Sequence, residues 1–202
     1  MTSRTPTRQR LLDTGMRLFA EKGFSATSVG DIESAVGLQP RRGALYKHFP
    51  SKEALLQAAV RHRLDEVAVG AAQLQALDLA VTSAEPELLR PIAVALGHWL
   101  LAELDRLRDL THVIEHEGRR LRKLRNQVRR EVVDTGNAAA AQLLRATVPG
   151  HRDPEATAVI LIGALTGVRR AEWTYGAPPL GVDDDRAVAA WADLLLTLVS
   201  GP

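Results

Sequence analysis

Arg41, Arg42, Lys47 and His48 fall within eight consecutive residues, and Lys52 follows shortly after. Side chains of these types donate hydrogen bonds to phosphate oxygens and to the acceptor edges of guanine in a major groove. Leu45 and Phe49, four residues apart, give the same stretch an apolar side that can anchor it to a core. A second constellation is His112-Val113-Ile114-Glu115-His116. Its His-x-x-Glu-His spacing matches an inverted zincin, with two imidazoles on one helical face and a carboxylate nearby. Catalytic zinc needs a third protein ligand, and no downstream motif identifies one. The two histidines also lie opposite Leu110, Ile114 and Leu121, which suits a solvated or pocket-rim face. Neither a Ser-His-Asp spacing nor a glycine-rich phosphate loop is present, so no enzyme, no metal site and no cofactor are expected.

The elements that must position these residues read as helices throughout. Aromatic residues make up 4% of the 202-residue chain, period-two alternation is absent, and Ala, Leu, Arg and Glu dominate. The absence of cysteine rules out a disulfide scaffold, cysteine-ligated zinc, iron–sulfur clusters and thiol catalysis. A polar start, Met1-Thr2-Ser3-Arg4, predicts no secretory leader. The longest nearly apolar run, residues 156–168, falls short of the roughly 18–20 residues of a membrane span. A cytoplasmic protein without a membrane partner is expected. Residues 1–60 carry nine Lys/Arg against five Asp/Glu, whereas the remainder carries 17 against 19. A basic head on a slightly acidic body is the asymmetry of a small nucleic-acid-binding domain joined to a different kind of domain.

Breakers divide the chain into short helices and then long ones. Thr5-Pro6 caps a first helix running to Lys22, and Gly23 stops it. Ser28 with Asp31 three residues later resembles a capping box and opens a helix that ends at Gly37. A third short helix is expected over residues 41–49, and Pro50-Ser51 caps a fourth from Lys52. Further helices are expected from Glu85-Pro86 and Pro91 toward Leu104, from Leu107 through Gly118, from Asp153-Pro154 to Tyr175, and after Asp183 to Val199. Seven Lys/Arg lie within residues 119–130, a basic amphipathic stretch whose default reading is a solvated face and whose alternatives are a second nucleic-acid surface, a membrane-surface helix or a dock for an anionic effector.

A short helix, a glycine-containing turn and a second short basic helix form the pattern of a helix-turn-helix. The segments Phe19-Ala20-Glu21-Lys22-Gly23-Phe24 and Thr27-Ser28-Val29-Gly30-Asp31-Ile32 carry a closer resemblance, as do Gly37 and the run from Ala44-Leu45-Tyr46-Lys47-His48-Phe49-Pro50 to Ser51-Lys52-Glu53-Ala54-Leu55. Over about residues 8–60 the chain resembles the TetR family of transcriptional regulators. That resemblance implies an all-α homodimer, with a DNA-binding domain over residues 1–51 and an effector-binding, dimerising domain over residues 52–202. It implies double-stranded DNA with a palindromic operator and a small-molecule effector as partners, and release from DNA on effector binding, with the helix from Lys52 as the lever. By position it assigns groove entry to Arg41, Arg42 and Gly43 and phosphate contacts to Thr27, Ser28, Tyr46, His48 and Lys52, with Gln39 and Lys47 counted among the DNA-binding residues. Two departures stand out. Seven residues separate Gly37 from Leu45 where the family commonly has five, and Glu33 occupies a place usually held by a small residue facing the neighbouring helix.

Pocket candidates on the carboxy-terminal helices are His98, Trp99, His112, His116, Asn137, Trp173 and Tyr175, each of which can equally serve as core. Gly163, Gly167 and Ala171 recur every four residues as a smooth ridge, and Val188, Trp191, Leu195 and Leu198 stripe the last helix. Together these two helices are expected to form a symmetric four-helix dimer interface.

Overall fold

A computed structural model describes residues 6–40, 42–82, 86–117 and 121–200. Every regular element among them is helical, in keeping with the all-α expectation. The helices are α1 (Thr7–Lys22), α2 (Val29–Ala35), α3 (Lys52–Thr82), α4 (Pro86–Glu117), α5 (Arg122–Val128), α6 (Thr135–Thr147), α7 (Pro154–Tyr175) and α8 (Asp184–Ser200). A 3₁₀ turn covers Leu45–Lys47, a π-helical turn over Arg129–Asp134 joins α5 to α6, and a second 3₁₀ turn covers Pro179–Gly181. None of the described helices is long and apolar enough to cross a membrane.

The chain divides into two compact units, residues 1–66 with 107–131, and residues 67–106 with 132–202. In the first, Leu11, Leu12, Met16, Leu18 and Phe19 of α1, Ile32 of α2 and Leu55, Leu56, Val60 and Leu64 of α3 are all buried. The capping box at Ser28 forms as its spacing predicts. Asp31 N–H donates to Ser28 Oγ at 3.1 Å, and the Asp31 carboxylate accepts from the Ser28 N–H at 2.8 Å. These hydrogen bonds favour the ionised carboxylate and hold its pKa below the ordinary value.

In the second unit Ala93 and Leu101 of α4, Leu165 of α7 and Val188, Trp191 and Ala192 of α8 form one cluster. Ala141 and Leu144 of α6 with Ala158 of α7 form another. Asp153 caps α7 by accepting from the Ala156 N–H at 3.0 Å, with Pro154 in the first helical position. Arg169, 6% exposed, is the charged centre of this unit. It donates to both oxygens of Asp184 at 2.9 Å and to Glu172 at 2.6 Å, while its Nε lies 3.1 Å from Asp105. Burial pulls the guanidinium pKa down, but the bonds to Asp184 and Glu172 and the charge of Asp105 outweigh it, so the net shift is upward.

Two helix boundaries differ from expectation. The helix expected toward Leu104 and the one from Leu107 are a single helix, because neither glycine nor proline stands between Leu104 and Leu107 to break it. At its other end the helix expected to continue in phase past Gly118 is interrupted at Leu121, whose φ −100° and ψ 45° lie outside the helical region, before α5 begins at Arg122; Gly118 itself lies outside the described residues.

Gly97 brings α4 against α8. A Cβ added there would sit 2.8 Å from Val188 Cγ1 and 3.3 Å from Trp191 Cε3, both on buried side chains. Gly97→Val is therefore expected to destabilise the fold by about 1–3 kcal/mol through overpacking. Gly136→Ala, which would meet nothing within 4 Å, is expected to be neutral or to stabilise by up to about 1 kcal/mol. Denaturant midpoints of the two variants check this, and equal shifts would remove the close α4–α8 contact.

Candidate nucleic-acid interface

The loop between α1 and α2 is held by groups from three directions. Gly23 closes α1 at φ +84°, donating its N–H to the Phe19 carbonyl at 3.0 Å. The Thr27 hydroxyl turns inward and shares its proton between the carbonyls of Gly23 at 2.8 Å and Leu18 at 3.1 Å. Lys52, in the first turn of α3, donates from Nζ to the carbonyls of Phe24 at 2.7 Å and Thr27 at 2.8 Å. The same ammonium lies 4.4 Å from the centre of the Phe24 ring, a cation–π contact. The Phe24 N–H in turn donates to Glu117 Oε1, at the end of α4, at 3.1 Å.

On this base stands the segment after α2. Leu45 and Phe49 are buried, as their spacing predicts, and the Arg8 guanidinium lies 5.1 Å from the centre of the Phe49 ring. The helix expected over residues 41–49 is reduced to the single 3₁₀ turn Leu45–Lys47. Gly43 adopts φ +69°, which a right-handed α-helix cannot contain. Glu33 fastens the turn. Its carboxylate, wholly buried, accepts the Leu45 N–H at 3.0 Å.

The ten residues expected at DNA divide sharply. Gln39, Arg42, Lys47 and His48 are exposed, Tyr46 is 56% exposed, and Gly43 is half-buried beside them. Ser28 is exposed, although its hydroxyl is engaged in the capping box. Thr27 and Lys52 have other work. Thr27 is 0% exposed, and Lys52 is half-buried with its ammonium committed to two carbonyls, so neither is a free phosphate donor. Arg41 lies outside the described residues. Glu117 was missed because nothing in its local sequence marks a contact made 93 residues away. Glu33 did carry a signal, a carboxylate next to Ile32 on the buried side of α2.

The pocket candidates do not share one unit. His98, Trp99, Asn137, Trp173 and Tyr175 belong to the second, whereas His112 and His116 belong to the first. His98 faces Asp185 at 3.4 Å, Trp99 packs on Gly70 in α3, Asn137 donates to the Val133 carbonyl at 2.8 Å, and Tyr175 is exposed. The rings of His112 and His116 meet edge-on with centroids 6.4 Å apart. Among the described residues no three His, Asp or Glu side chains gather as metal ligands.

Two residues expected at a dimer interface are instead core. Val188 is wholly buried, and Trp191 is buried with its Nε1 donating to the Leu161 carbonyl at 2.9 Å, because the apolar stripe of α8 packs on α4 and α7 of its own chain. Leu195 packs partly on the same core, and Ala171 is half-buried. Gly163, Gly167 and Leu198 remain exposed, joined by Val159, Ile160 and Leu194.

Comparison with known proteins agrees with this geometry. Residues 11–59 match the model of the bacterial regulatory proteins of the tetR family. The chain is 47% identical over 55 residues to the transcriptional regulator YerO of Bacillus subtilis, covering 27% of this chain and 18% of that protein. It is 45% identical over 60 residues to the transcriptional repressor KstR2 of Rhodococcus jostii, covering 30% of this chain and 28% of that one. The matched segments thus span less than a third of those relatives' own lengths. Over nearly the whole chain the fold is that of solved regulators. A TetR-family regulator of Mesorhizobium loti superposes with a TM-score of 0.66 at 20% identity, covering 95% of both chains. A transcriptional regulator of Saccharomonospora viridis, solved in complex with choline, gives 0.67 at 20% identity, covering 96% of this chain and 97% of that one.

The clamp made by Lys52 predicts a stability phenotype. Lys52→Ala removes two charge-assisted hydrogen bonds and is expected to cost about 1.5–3 kcal/mol, whereas exposed Lys47→Ala stays within about 0.5 kcal/mol. Equilibrium urea unfolding measures both, and a Lys52→Ala midpoint equal to wild type would refute the clamp.

Proposed function

From a chain whose residues 11–59 form a tetR-family amino-terminal domain, we propose a DNA-binding transcriptional regulator, a repressor released from its operator by a small-molecule effector. The observation that carries this reading is the exposed set Gln39, Arg42, Tyr46, Lys47 and His48 around a turn anchored by buried Leu45 and Phe49. Cations fixed to a rigid base suit a duplex, because phosphate contacts set register and base-edge contacts set sequence only if their scaffold holds still. KstR2 and a second relative, DhaR of Mycobacterium sp., are both transcriptional repressors, which favours repression over activation here.

Two copies of the turn entering successive major grooves would lie about 34–36 Å apart and read a palindrome. The face with Ile160, Gly163, Gly167 and Leu198 supplies a surface for a two-fold pairing, with small residues allowing close helix approach. An effector that changes the separation of the two turns releases the DNA. The choline bound to the Saccharomonospora viridis regulator supports a small organic effector for this chain, with His98, Trp99, Asn137 and Trp173 as candidates to meet it.

A gel-shift experiment on DNA flanking the protein's own gene tests the reading. Arg42→Ala is expected to weaken specific binding by about 1–3 kcal/mol through lost base discrimination. Lys47→Ala should weaken all sequences alike and reduce the salt slope by about one. Absence of any sequence-specific shift, or wild-type affinity in both variants, would sink the proposal. Gly167→Leu should bias sedimentation toward monomer and impair a palindrome more than a half-site. An unchanged dimer would place the interface elsewhere.

A further inference from the structure

We propose that Glu33 is a positioning residue for the DNA-reading loop, a role resting on the regulatory function proposed above. One residue holds both ends of that loop. The backbone carbonyl of Glu33 accepts the Leu38 N–H at 2.8 Å, where the chain leaves α2. Its carboxylate accepts the Leu45 N–H at 3.0 Å, where the 3₁₀ turn begins. Between these points lie Gln39, Pro40, Arg42 and Gly43, so the span of the loop is set by the length of a single glutamate side chain.

The chemistry argues against a filler role. A buried carboxylate loses its hydration, and an apolar side chain of similar volume fills the same space without that penalty. An acidic oxygen at 0% exposure is favoured only where a hydrogen bond needs it, and the Leu45 N–H is such a donor. That N–H heads the 3₁₀ turn, one of the donors a helical start leaves without an internal partner. The two departures seen in the sequence meet here. A turn seven residues long, in place of five, has more conformations to lose, and Glu33 restricts them from both ends. A backbone anchored in this way holds the exposed Arg42 and Lys47 side chains near one register on DNA.

The test compares Glu33→Met, which keeps volume and removes the acceptor, with Glu33→Gln, which keeps an acceptor oxygen. Wild-type protein first selects its site from a randomised duplex pool. Affinity is then measured for that site and for a scrambled duplex, and amide exchange of Leu45 is followed by NMR. Glu33→Met is expected to lower affinity for the selected site by about tenfold or more while the scrambled duplex changes by less than about twofold. Its Leu45 amide should exchange roughly tenfold faster relative to that of Leu55. Glu33→Gln should recover most of the selectivity. If Glu33→Met does not fold, Glu33→Ala, which admits water, takes its place. Unchanged selectivity in a folded variant that lacks the acceptor overturns the positioning role, as does equal loss on both duplexes. Failure of all three variants to fold also overturns it, because the residue is then structural alone. A wild type that selects no sequence overturns the regulatory reading and the DNA role together, while Leu45 exchange still shows whether Glu33 holds the loop.

Discussion

The peptide at Phe24 is gripped from both sides, and the first unit is organised around that grip. Lys52 takes its carbonyl, Glu117 takes its N–H, and the Lys52 ammonium also rests against its ring. The three groups come from α3, α4 and the α1–α2 loop, so the polar groups of one residue tie together elements far apart in sequence. Thr27 adds a fourth tie, through its carbonyl to Lys52 and its hydroxyl to the end of α1. Buried or half-buried polar groups of this kind must be satisfied, and here their satisfaction ties the loop from which α2 starts to α3 and α4.

Fixing that loop separates two jobs that positively charged residues can do. Lys52 and Arg169 are committed internally, one to backbone carbonyls and the other to three carboxylates. Arg42, Lys47 and His48 are exposed on a turn whose own anchors, Leu45 and Phe49, are buried. Rigidity and availability thus belong to different residues a few positions apart. The second unit repeats the arrangement with apolar groups. Val188 and Trp191 close the monomer core against Gly97, while Ile160, at 70% exposure, and Leu198 are left facing outward. An exposed apolar face of this kind usually marks a place where another surface packs.

Much of this was legible in the residues themselves. Helical punctuation predicted α7 from Pro154 to Tyr175 and the Ser28–Asp31 capping box, because caps and prolines act over three or four residues. The burial of Leu45 and Phe49 followed from spacing alone. The breadth of the helix-turn-helix motif came from its dense run of matched residue types. These are local interactions, and a sequence states them directly.

What the tertiary structure decided is which partner each polar or apolar group meets. Thr27 and Lys52 have the right types for phosphate contacts, yet the fold turns both toward backbone carbonyls. The helix expected over residues 41–49 yields to a single 3₁₀ turn, because Gly43 takes a left-handed conformation and Glu33 captures the Leu45 N–H from another helix. The α8 stripe packs inward, since an amphipathic face shows that something must cover it without saying which chain does so. The sequence determined the all-α class, the ends of α1 and α7 and the basic motif, all of which follow from short-range periodicity and capping. Three-dimensional packing determined which donors remain free, because hydrogen-bond satisfaction depends on atoms brought together from distant parts of the chain.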